Sequence, residues 1–139
     1  MKRLEQVRED FEKALKALEE SVVEAESDLE IDGLIQRFEF TYELLWKLLK
    51  LYLEREGIIA KTPRECFKEA FRLGLFLNEE QGLKMIDDRN MSVHLYDRVL
   101  SREVFQKIKL HYVKIFREVL TRINESFQPE ADAPTAQSL

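Results

Sequence analysis

Apolar residues recur every three or four positions along most of this chain, the period of a helix with one buried face. Leu4, Val7, Phe11, Ala14, Leu15, Leu18, Val22 and Ala25 mark a first helix from Lys2 to about Glu26. The stretch "SDLEIDG" then interrupts the pattern, and its Asp32 and Gly33 read as a turn. A second helix, from Leu34 to about Glu56, is apolar over most of its circumference. Phe38, Tyr42, Leu45, Leu49 and Tyr52 form one face, Phe40, Leu44, Leu48 and Leu51 much of another, with Trp46 between them. A helix of that kind is buried on two sides, and one of the two is expected to be a subunit interface with Phe40, Leu44 and Leu51 facing outward. Gly57 suits the position just past its end.

Capping signals divide the remainder. Thr62 can cap a third helix, with Pro63 at its first position and Glu65 completing a capping box, and this helix runs to about Gly74. Asn78 caps a fourth, from Glu79 to about Tyr96, whose opening glutamates sit at its positive end. Ser101 reads as the cap of a long fifth helix ending near Phe127, with Val104, Phe105, Ile108, Tyr112, Ile115, Phe116, Val119 and Ile123 as its buried stripe. The last stretch, "QPEADAPTAQSL", has two prolines and no large apolar cluster, so residues 128–139 are expected to be disordered. The expectation is a single all-α domain over residues 1–127, an antiparallel up-down bundle of about five helices.

Composition supports that class and narrows the function. Of 139 residues 45% are apolar and 35% charged, with only 4 Gly and 3 Pro, too few turn formers for a sheet protein. A net charge of −5 argues against non-specific nucleic-acid binding by the surface as a whole. Locally the balance reverses: seven Lys and Arg against two Glu lie between Arg98 and Arg122. Such a run is either a solvated face or a means of steering a phosphate backbone. The single cysteine, Cys66, falls in an apolar pattern, reads as a core residue and fits a reducing compartment. The charged N-terminus carries no leader-like apolar segment, and "LLWKLLKLYL" is too short and too interrupted to span a bilayer. A cytoplasmic location, without membrane association, is expected.

Most site chemistries find no support. The glycines are scattered, so there is no phosphate loop, and no Cys/His cluster or carboxylate-plus-His set stands at metal spacing, so no cofactor and no metal are expected. What remains is "DRNMSVHLYD", residues 88–97. On a continuous helix Asp87, Asn90, His94 and Asp97 would share one face, and Arg89, Ser92 and Tyr96 a neighbouring row. A histidine among carboxylates and an amide has its tautomer set and its charged form favoured. With Arg89 as an anion-binding group, His94 could act as general acid or base in metal-free phosphodiester chemistry. Five residues separate Arg89 from His94, about 140° around an ideal helix, so the two converge only where the helix ends or distorts. The alternative reading is a helix terminus whose histidine bonds to its neighbours. His111 has no comparable company and reads as structural. Glu39 and Glu43, on the apolar second helix, fit either a site or a solvated edge.

Three segments together carry a resemblance: "QRFEFTYELLWKLLKLYL" (36–53), "TPRECFKEAFRLGL" (62–75) and "MIDDRNMSVHLYD" (85–97). In that order they resemble the nucleotidyltransferase substrate-binding proteins, a branch of the HEPN superfamily that includes the HepT-type toxins. The resemblance covers about residues 2–126. It implies a HEPN-like bundle that forms a homodimer, with the motif arginine and histidine near the dimer cleft, and a minimal nucleotidyltransferase as partner. In HepT-type members an arginine, a histidine five positions on and a tyrosine two further mark a metal-independent ribonuclease, and here these are Arg89, His94 and Tyr96. The resemblance makes Tyr96 the acceptor of adenylyl groups from the partner, and Asn90 matches the residue that follows the motif arginine. The family's older name describes another role, presentation of a substrate to the nucleotidyltransferase. Both roles stand open at this level, as does RNA as a partner.

Overall fold

The computed structural model describes residues 2–91 and 97–137, and the side chains of residues 3–91 and 97–127. Every element is helical: α1 (Lys2–Glu24), α2 (Asp28–Arg55), α3 (Pro63–Arg72), α4 (Glu79–Met91), α5 (Arg98–Lys107) and α6 (Val113–Gln137). A π-helical turn, Ile108–Tyr112, joins α5 to α6, so these form one long rod and the bundle has five rods. No described residue is in a strand.

Side-chain pairs fix the directions. Glu19 meets Arg117 and Arg8 meets Asn124, so α1 runs antiparallel to α6. Asp32 meets Arg98 at one end of α2 and Arg55 meets Ser126 at the other, so α2 runs alongside the long rod in the same sense. Leu77 meets Glu118 and Asp88 meets Lys107, which sets α4 antiparallel to that rod. The result is the expected up-down bundle, with the short α3 tucked between α2 and α4.

Two boundaries differ from the sequence reading, each for a capping reason. The break before α2 comes at Ser27, whose hydroxyl accepts from the Glu30 amide at 3.1 Å while the Glu30 carboxylate accepts from the Ser27 amide at 2.9 Å. This reciprocal box starts the helix early and carries Asp32 and Gly33 into its interior, where the turn was expected. Likewise Asp97, and not Ser101, caps α5: its carboxylate accepts from the Leu100 amide at 3.1 Å. Ser101 is buried one turn inside, its hydroxyl donating to the Arg98 carbonyl. The helix end placed near Phe127 also moves, since the α6 backbone continues as helix to Gln137.

The core follows the predicted stripes. Leu4, Phe11, Leu15 and Leu18 of α1 are buried, as are all eight positions named for the long rod. Phe38 lies at the centre, its ring 5.7 Å from that of Tyr112 and 6.0 Å from that of Phe116. The two-sided burial of α2 is met largely within one chain, because α1, α3 and α5 all pack on it. Leu51, expected to face outward, is therefore only 9% exposed, whereas Phe40 is 62% exposed. Cys66 is fully buried and burial pushes its thiol up to about 11, as befits an unreactive core residue.

Candidate functional site

The C-terminal turn of α4 brings the candidate residues to the side of α2. Arg89 is 29% exposed at the side chain, and one guanidinium nitrogen lies 3.6 Å from the Glu43 carboxylate of α2. The same guanidinium sits 6.0 Å above the Tyr42 ring. Glu43 in turn accepts from the indole nitrogen of Trp46 at 3.2 Å. Burial, reinforced by the Glu43 charge and opposed by that of Arg89, pushes the Tyr42 phenol up to about 12, so it is neutral at any physiological pH. Glu43 is thus the residue that sequence patterning could not assign: it holds Arg89 in a lateral position while leaving part of the guanidinium open to solvent.

Asp88 is a further member, one not singled out from sequence. It is only 13% exposed, accepts from the Tyr112 hydroxyl, and lies 3.4 Å from the Lys107 ammonium. The π-helical turn makes this reach possible. There the Val113 amide bonds to the Ile108 carbonyl five residues back, which inserts an extra residue in the turn. Tyr112 is itself fully buried, and burial and the Asp88 hydrogen bond both raise its phenol pKa. No sequence signal announces a π-turn.

The other expected site residues divide. Asp87 is exposed and lies 3.9 Å from Arg64 of α3, and Asn90 is exposed on the last turn of α4. Asp97 does not continue their row, because α4 is helical to Met91 and Asp97 has extended backbone at the start of α5. His94 and Tyr96 lie outside the described residues, as does the expected last turn of α4. At the start of α5, Arg98 makes a bidentate bond to Asp32 at 2.8 and 2.9 Å, and Arg102 bonds to Asp28 at 2.5 Å. Hydrogen bonding to Arg98 holds the Asp32 carboxyl below its usual range.

These pairs change the meaning of the basic run. Arg98, Arg102, Lys107 and Arg117 each face a carboxylate of a neighbouring helix. More than half of the run therefore serves bundle contacts. Among the described residues no group of three His, Cys, Asp or Glu gathers to hold a metal ion, and no helix is long and apolar enough to cross a membrane.

Residues 6–125 match the family described as nucleotidyltransferase substrate binding protein like. The chain belongs to that family. It is 34% identical over 86 residues to a Haemophilus influenzae protein named probable ribonuclease HepT, covering 58% of this chain and 59% of that protein. The chain thus spans about three fifths of that curated relative. A crystal structure from Thermus thermophilus matches with a TM-score of 0.75 and 38% identity, over 81% of this chain and 97% of the other. A Haemophilus influenzae structure described as revealing the fold of a substrate binding domain of a nucleotidyltransferase matches with a TM-score of 0.77 and 27% identity, over 84% and 98% of the two chains. The all-helical fold is shared with these structures.

Proposed function

We propose that this protein is the helical partner of a minimal nucleotidyltransferase in a two-component, toxin-antitoxin-like system, and that it acts as a metal-independent endoribonuclease through Arg89 and His94. The observation that carries the reading is the placement of Arg89, half-open at the end of α4 and braced by Glu43 and the Tyr42 ring, five residues before His94. Similarity to a probable ribonuclease HepT supports it. In the reaction, the ribose 2′-oxygen attacks phosphorus and gives its proton to His94, the P–O5′ bond breaks, the 5′-oxygen takes up a proton from water, and a 2′,3′-cyclic phosphate and a 5′-hydroxyl result. Arg89 stabilises the charge that develops on the non-bridging oxygens. Asp87, Asn90 and Asp97 flank this pair in sequence and are assigned supporting roles.

The reading includes a homodimer, for which the exposed Phe40 beside the partly buried Leu44 supplies an apolar contact surface on α2. It also includes silencing by adenylylation of Tyr96, which adds phosphate charge and bulk where Arg89 would hold RNA. The cytoplasm is the matching compartment. Induced expression without the partner tests the central claim: wild type should arrest growth and His94→Ala should not. Cleavage of RNA by the purified protein should persist in EDTA. Intact-mass analysis after co-expression should show whole adenylyl additions that vanish in Tyr96→Phe.

A second reading is favoured by the family description and by the Haemophilus influenzae substrate binding domain, namely a non-catalytic subunit that presents a substrate to the nucleotidyltransferase. Growth arrest that survives His94→Ala, or no RNA cleavage by the wild type, would decide for it.

A further inference from the structure

A recess of about 250 Å³ lies between the N-terminal half of α1 and the C-terminal half of α2. Arg3, Val7, Trp46, Lys47, Lys50 and Leu51 line it. Glu54 is its one carboxylate, against three cations in a chain whose net charge is −5. Among the described residues, none of these three cations makes an ion pair within 4.0 Å, in contrast to Arg98, Arg102, Lys107 and Arg117 of the long rod. The recess therefore combines a partly exposed indole, aliphatic walls and cations not engaged by carboxylates. That is the chemistry that receives a base on a ring face and a phosphate beside it.

Its position adds a direction. Glu43, Trp46, Lys47 and Lys50 follow one another on one side of α2, about 10 Å from first to last at the rise of a helix. Trp46 donates to Glu43, and Glu43 braces Arg89. A strand crossing Arg89 thus needs only one or two turns of α2 to arrive at the recess. We propose that the recess binds one nucleotide unit of a single-stranded RNA, with its base against Trp46 and its phosphate on Arg3, Lys47 and Lys50. This deepens the ribonuclease reading and rests on it. The free nucleotide of a nucleotidyltransferase reaction offers the same base and phosphate, so it is the competing source.

The chain has a single tryptophan, so fluorescence excited beyond the tyrosine band reports on the indole that lines this recess. The full-length protein is titrated with a short single-stranded RNA carrying 2′-O-methyl sugars, which blocks cleavage, and separately with ATP. The RNA should quench Trp46 to saturation, with ATP needing a far higher concentration. The double variant Arg3→Gln/Lys47→Gln, both exposed positions, should bind the RNA about tenfold or more weakly and lower the salt slope by roughly 0.7, the share of the one phosphate held there. Its melting temperature, compared with wild type, reads out any folding defect. If RNA is cleaved by the wild type but leaves Trp46 unquenched, or if the double variant binds unchanged, the recess assignment falls and the ribonuclease reading stands. If quenching and its charge dependence hold while no cleavage is found, the ribonuclease reading falls alone. Quenching by ATP at the same concentration as the RNA, or only by an acidic protein partner, overturns RNA as the occupant.

Discussion

The Tyr112 hydroxyl donates to the Asp88 carboxylate, joining the π-helical turn of the long rod to the residue next to Arg89. A phenol buried on the core side and a carboxylate largely removed from water satisfy each other, with Lys107 balancing the charge. The pair anchors the last turn of α4 on the long rod, one residue before Arg89.

Removing the phenol oxygen should therefore cost stability. Tyr112→Phe leaves the Asp88 carboxylate without its buried donor, and a loss of about 1–3 kcal/mol is expected. Urea denaturation would show it as a lower midpoint with an unchanged slope. Asp88→Asn, which keeps an acceptor for the hydroxyl, should lose less. The proposed RNA cleavage should also fall in folded Tyr112→Phe, since the turn that carries Arg89 loses this anchor.

Gly82 of α4 is needed for a close approach, because a Cβ there would stand 2.6 Å from the ring of buried Phe76. That ring is itself held edge-on to Phe67 at 6.2 Å, so it has little room to retreat. Gly82→Ala gains up to about 1 kcal/mol in helix propensity. Overpacking typically costs about 1–3 kcal/mol, so the net effect should be destabilising. Thermal unfolding of the variant checks the sign. A higher melting temperature would mean that Phe76 moves freely.

The exposed apolar step on α2 gives the third expectation. Phe40 lines a groove of about 520 Å³ beside Ala14, Ala17 and Leu44. Phe40→Glu should convert a dimer to a monomer in sedimentation at micromolar concentration while leaving the circular dichroism unchanged. A wild-type monomer under those conditions would remove the dimer from the proposal.

The bundle was legible because its stripes have a regular period and its caps are local. Thr62 and Glu65 form the capping box expected of them, and Gly57 adopts φ 82° past the end of α2. The misplaced boundaries arose where two local signals competed. Asp32 and Gly33 resemble a turn, but the Ser27–Glu30 box lies upstream and Asp32 finds Arg98 of α5, 66 residues away. Arg89 was legible as a candidate and Glu43 only as one of two readings, a site or a solvated edge, whereas Asp88 was not singled out, since its partners come from another helix. The basic run misled for the same reason: its carboxylates lie on α1, α2 and α4.

The Asp32–Arg98 pair ties the start of α5 to α2 and should give stability a specific acid dependence. The folded-state pKa of Asp32 is lowered, chiefly by hydrogen bonding to Arg98, relative to an unfolded value near 3.9. With a depressed carboxyl, the folded state releases its proton more readily than the unfolded one. The contribution is therefore fully present above the unfolded value and disappears as pH falls through the lower folded value. Wild type and Asp32→Asn should differ in melting temperature by a constant amount from pH 8 to about 5, and the difference should close below about 4. Both side chains are solvent-accessible, so added salt should narrow the gap at neutral pH as well. A difference that persists undiminished into strong acid would show that Asp32 acts through packing and not through its charge.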